Sequence, residues 1–77
     1  MNDDVKRRKA AFRVAFDYLE RWAAKIPAYA SEVNFWEAAW AECERLGEGT
    51  DDLSKELLAT AYWELERIWK RDRRDTA

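Results

Sequence analysis

The residue types that usually carry chemistry are almost missing from this chain. It has no histidine and a single cysteine, Cys43, so Ser31, Ser54 and Cys43 have no imidazole to activate them. A zinc site would need carboxylates alone, and their spacing does not support one. Asp51-Asp52 lacks the loop pattern of a calcium-binding hand and fits the start of a helix better. Cys43 cannot form an intrachain disulfide, and its apolar neighbours at helical spacing mark it as a small, inert hydrophobe. The expectation is a non-enzymatic protein with no cofactor and no metal.

Tryptophan is the abundant special residue: there are five in 77 residues. A domain of this size cannot easily hide five indoles, so some of that surface is expected to meet a partner. Trp63 is the first candidate. It falls roughly 120° away from the Leu57–Ile68 stripe of its helix, among Ala59, Glu66, Arg67 and Lys70. Tryptophan is enriched at binding hot spots, although a lone indole can also pack at the edge of a core. Val14 likewise falls on a polar side. A second candidate surface carries Glu37, Ala41 and Glu44 near Asn34, where small alanines beside acids would let another helix approach; the competing reading is a solvated face. The candidate partner-binding residues are therefore Trp63, Arg67, Lys70, Glu37 and Glu44.

Charge is unevenly placed around a net −2. Residues 1–27 carry seven basic and four acidic groups, residues 28–66 two and ten, and residues 67–77 five and two. The run Lys6-Arg7-Arg8-Lys9 with Arg13 could touch phosphate or act as a nuclear localisation signal. Pairing with the acidic start of helix 3, at Glu48, Asp51, Asp52 and Glu56, is the simpler account. Arg67, Lys70, Arg71, Arg73 and Arg74 form a second basic cluster, expected at the opposite end, so the two do not sum into one groove. A helix-turn-helix reading fails, because the start of the would-be recognition helix holds Asp51, Asp52 and Glu56. The overall acidity thus argues against nucleic-acid binding, and a basic helix end remains its only foothold.

Three helices would position these residues. Val5, Phe12, Leu19 and Ile26 recur every seven residues; with Phe16, Ala23, Ala15, Tyr18 and Trp22 they make an apolar arc of about 160° on helix 1, residues 4–25. Asp3 and Asp4 suit its start and Pro27 its end. Ser31, followed by Glu32, opens helix 2 (32–46), whose stripe is Trp36, Ala39, Trp40, Cys43 and Leu46, flanked by Val33 and Phe35. Gly47 is the expected left-handed C′ residue, and the short Gly47-Glu48-Gly49 link makes helices 2 and 3 antiparallel. Helix 3 starts at Thr50–Asp51 and runs to residue 72, with one stripe at Leu53, Leu57, Ala61 and Ile68 and another at Leu58, Tyr62, Leu65 and Trp69. Two seams suit a helix packed against two neighbours.

The expected fold is all-α: a compact up-down-up three-helix bundle forming a single domain over residues 1–77, with Phe12, Leu19, Trp36, Trp40, Leu57 and Leu65 in its core. The shorter helix 2 should leave apolar surface uncovered at one end. No signal peptide or membrane span is legible, since Arg13 and Asp17 interrupt the first apolar run. A lone cysteine fits a reducing cytoplasm. The expected function is a small protein–protein interaction module, an adaptor, regulator or inhibitor, binding another protein or a second copy. The alternative is a nucleic-acid-binding accessory protein using a basic helix end. A loose analogy with phage or mobile-element proteins directed against host factors points to the first reading.

Overall fold

The computed structural model describes the backbone of residues 2–26 and 33–76, and the side chains of residues 3–26 and 33–71. It holds three helices: α1 (Asn2–Ala23), α2 (Val33–Gly47) and α3 (Asp52–Thr76). Asp3 and Asp4 occupy the first turn of α1, where carboxylates complement the exposed amides. The Pro27 stop, the Ser31 cap with Glu32, and the side chains of Arg73 and Arg74 lie outside the described residues.

The α2–α3 connection is made differently from the expected glycine cap. Gly47 is the last residue of α2, buried and with ordinary helical φ, whereas Gly49 holds φ 72°. A Cβ on Gly47 would meet Lys55 Cγ at 3.4 Å and Leu58 Cδ1 at 3.8 Å. Both are ordinary van der Waals contacts, so Gly47 needs no special freedom, and the left-handed residue comes two positions later. The Thr50 hydroxyl donates to the Gly47 carbonyl at 2.6 Å, satisfying an end carbonyl of α2. Asp51 then caps α3 by accepting from the Ser54 amide at 3.0 Å, so the helix begins one residue later than expected. That amide bond, helped by the nearby Arg7 charge, holds the Asp51 carboxyl below its ordinary value. Gly49→Val should lower the melting temperature clearly, because a β-branched side chain is strained at positive φ. Gly47→Ala, with only ordinary contacts to make, should change stability by less than about 0.5 kcal/mol. Thermal melts of the two variants check this assignment.

The helices run up, down and up. Arg7 and Val14 of α1 sit beside Thr50 and Ser54 at the start of α3, and Leu19 sits beside Leu57 and Glu64, so α1 and α3 are parallel. The pairing of Trp40 and Trp36 with Tyr62, and of Trp36 with Trp69, makes α2 antiparallel to α3. Most packing runs between α3 and its two neighbours; direct α1–α2 packing is sparser. The result is a three-helix bundle in which α1 and α3 form a layer and α2 covers one side of it.

The core is built from small residues around a few large ones. Ala15, Tyr18, Ala39, Cys43, Leu58, Ala61 and Leu65 form the buried cluster, with Leu19, Trp22, Trp36, Leu46, Leu57 and Tyr62 packed around it. Leu65 is buried as expected, but the five other expected core residues are displaced outward. Leu19, Trp36 and Leu57 are half-buried, Phe12 is 56% exposed and Trp40 is 39% exposed. The reason is geometric. Helices approach most closely where side chains are small, so α1 turns its Ala11–Ala15–Tyr18 edge inward. The phenylalanine edge of the same apolar arc is left outside. Apolar surface consequently remains along the open side of the α1–α3 layer as well as beside α2.

Candidate protein-interaction surface

An unbroken run of aromatic rings crosses the molecule and emerges between α2 and α3. Tyr18 contacts Trp22 at 6.3 Å between ring centroids, Trp22 meets Phe35 at 5.6 Å, and Phe35 meets Trp36 at 4.9 Å. Trp36 continues edge-on to Tyr62 at 6.0 Å and to Trp69 at 5.9 Å. Tyr62 finally takes Trp40 at 5.0 Å and Trp63 at 5.4 Å. Edge-to-face pairs of this kind fix ring orientation better than aliphatic contacts do, so the outermost rings sit on a stiff base.

The groove at the end of this run is lined by Val33, Trp36, Glu37, Trp40 and Tyr62. On the other side of Trp40 a second hollow is lined by Trp40, Cys43, Glu44, Gly47, Lys55 and Ala59. Val33 is 59% exposed, Trp63 50% and Trp40 39%. Glu37 and Glu44 lie three residues before and four after Trp40, so both flank it on one face of α2. Glu37 thus lines the groove and Glu44 the hollow, with Trp40 common to both, whereas Trp63 lines neither and touches Tyr62. Lys70 pairs with Glu66 at 3.1 Å and Arg67 with Glu64 at 3.1 Å, so both bases nearest Trp63 are already engaged by carboxylates of their own helix.

Two contributors to this surface, Trp40 and Val33, stand in the sequence as core and core flank. Only the bracketing acids at Glu37 and Glu44 hinted that Trp40 lies at a wet edge. Val14, in contrast, rests in a shallow depression with Ala10, Ala11 and Leu46 at the α1–α2 edge.

Glu42 ties α1 to α2 beneath the aromatic run. It pairs with Arg21, accepts from Trp22 Nε1 at 3.4 Å, and has Arg45 at 3.5 Å. Partial burial raises the carboxyl, but the hydrogen bonds from Arg21 and Trp22 outweigh it and hold Glu42 below its ordinary value of 4.5. A depressed carboxylate contributes stability that is present above pH 4.5 and is lost as pH falls through the lowered folded value. Glu42→Gln should therefore cost about 1 kcal/mol at neutral pH, discounted for the half-exposed Arg21, and the difference from wild type should shrink on acidification. Urea melts between neutral and acid pH read this directly; an unchanged gap at low pH would sink it.

Other candidate groups are placed without converging. Cys43 is 5% exposed, and burial followed by the Glu44 charge pushes its thiol above the ordinary value. Among the described residues, no three cysteine, aspartate or glutamate side chains gather where they could hold a metal ion. In the basic run, Arg7 pairs with Asp4 at 3.3 Å and stands over the start of α3 beside Asp51. Among the described residues, no helix is long and apolar enough to cross a membrane.

No protein-family profile, curated protein or solved structure matches this chain.

Proposed function

We propose that the protein is a non-enzymatic protein–protein interaction module that works through the α2–α3 aromatic groove, in the manner of an adaptor, regulator or inhibitor in the cytoplasm. The observation that carries this reading is the exposure of Val33 and Trp40 on one groove, with the half-exposed Trp63 in ring contact with the groove residue Tyr62. Apolar surface grouped in this way, on rings braced from behind, is what a partner's side chain can fill. Glu37 and Glu44 set the character of that partner: an amphipathic segment with apolar residues for the groove and lysine or arginine on its flanks. The same two acids disfavour a nucleic-acid phosphate here, which leaves the alternative to one of the basic helix ends.

The test is binding measured for wild type and Trp63→Ala side by side, starting from a partner captured from native extract. Trp63→Ala should alter stability by less than about 1 kcal/mol, as exposed substitutions do, while weakening binding about tenfold or more. Glu37→Lys with Glu44→Lys should slow association with the same partner, most strongly at low salt. A folded Trp63→Ala protein that keeps full affinity ends the proposal. A salt-sensitive gel shift abolished by reversing Lys6, Arg7 and Lys9 to glutamate would put the nucleic-acid reading in its place.

A further inference from the structure

We propose that the open side of the α1–α3 layer is a two-fold interface, on which α1 packs antiparallel against α1 of a second copy of this chain. This face is separate from the α2–α3 groove and does not depend on it. Its centre is a shallow trough in which Phe12 and Phe16 stand over Ala15, Leu19, Leu57 and Ala61. Phe12 is 56% exposed and Phe16 60%, the latter the largest exposure among the big apolar side chains described.

The spacing along α1 is that of a helix-pairing seam. Val5, Lys9, Phe12, Phe16, Leu19, Ala23 and Ile26 alternate at intervals of four and three residues, the pattern that keeps one stripe facing a partner helix. Within its own chain α1 turns Ala11, Ala15 and Tyr18 inward, and Leu19, Ala23 and Ile26 of the seam also pack against the core, so the part left exposed is its first half, at Val5, Phe12 and Phe16.

Charge selects a second copy as the occupant. On the edge of α1 beside the seam, Lys6, Lys9 and Arg13 fill the first half, and Asp17 and Glu20 the second. All five are exposed; Arg13 also reaches Asp17 of its own helix at 3.8 Å, so Lys6, Lys9 and Glu20 are the charges left for a second copy. A surface that is basic at one end and acidic at the other complements its own image turned end for end. With the two-fold axis crossing near residues 14 and 15, Phe12 lies over Phe16 of the second copy and Lys9 beside its Glu20. An unrelated partner would need this same alternation by coincidence.

The experiment is sedimentation equilibrium of the whole chain over a wide concentration range, with circular dichroism on every variant. Wild type should show twice the 9.2 kDa chain mass. Phe12→Glu combined with Phe16→Glu should keep the helical spectrum and raise the dimer dissociation constant about 100-fold or more. Lys9→Glu with Arg13→Glu should weaken the dimer, and adding Asp17→Lys and Glu20→Lys to the same chain should restore it, because antiparallel packing sets the changed halves against each other. A monomeric wild type, or a dimer that survives both phenylalanine changes, overturns the interface. Loss of helix in the phenylalanine variant would make those residues core and overturn it equally. A charge-reversed dimer that the added lysines fail to restore overturns the antiparallel arrangement. Trp63→Ala should leave the dimer intact, which keeps this result distinct from failure of the α2–α3 groove.

Discussion

Tyr18→Ala is expected to cost about 3–5 kcal/mol, the usual loss for a large buried ring. A 77-residue domain has only about 4–11 kcal/mol to lose, so this single change should leave a substantial fraction unfolded on moderate warming. Tyr18 is fully buried between all three helices, and its hydroxyl donates to the Ala39 carbonyl at 2.7 Å. Tyr18→Phe isolates that bond. The Ala39 carbonyl still has its helical partner, so the loss should be only about 1 kcal/mol. Burial, followed by the proximity of Cys43, pushes the Tyr18 hydroxyl above its ordinary 10.0. An acid whose folded value is raised contributes stability that is present below the unfolded value. Wild-type stability should therefore fall as pH climbs beyond 10, and Tyr18→Phe should fall less steeply. Denaturant titrations at graded alkaline pH separate the two; parallel curves would mean the hydroxyl is wet.

Leu65→Ala and Phe12→Ala should differ sharply, although both remove a large residue from an apolar stripe. Leu65 has no exposed surface and sits in the central cluster, so its truncation should cost about 2–5 kcal/mol, with a similar loss for Leu58→Ala. Phe12 keeps more than half its surface in solvent, so Phe12→Ala should cost less than about 1 kcal/mol to the folded chain. Thermal or chemical melts at low protein concentration, where any dimer is dissociated, make the comparison clean. A Phe12→Ala loss as large as that of Leu65→Ala would mean that α1 is rotated so that its phenylalanine edge faces inward.

The contrast between these two residues shows what the amino-acid sequence can carry. Seven-residue recurrence on α1 and two apolar seams on α3 were enough for three helices, their order and α3's place between the other two. Periodicity depends only on local geometry, and the short Gly47–Thr50 link restricts the return path. The same periodicity measured an arc of about 160° on α1 without locating its buried centre. Hydrophobicity alone favours Phe12 and Phe16; tertiary packing favours Ala11 and Ala15, because α1 reaches α3 most closely over small side chains. That choice depends on the residues opposite, which no window along one helix contains.

The candidate surface divides in the same way. The exposure of Trp63 was legible, because its helical angle lies outside both seams of α3. Trp40 was not, since it shares a stripe with Trp36, Ala39 and Cys43 and becomes an edge residue only once α3 stands on one side of it. The turn repeats the lesson in miniature. Two glycines stand two residues apart, and either could have taken the positive φ. α2 runs through Gly47, the Thr50 hydroxyl closes onto its carbonyl, and the left-handed position falls to Gly49. Helix identity and order thus followed from local sequence, whereas the facing edge of each helix, and with it the apolar surface left for a partner, was decided only by the packing of the three against one another.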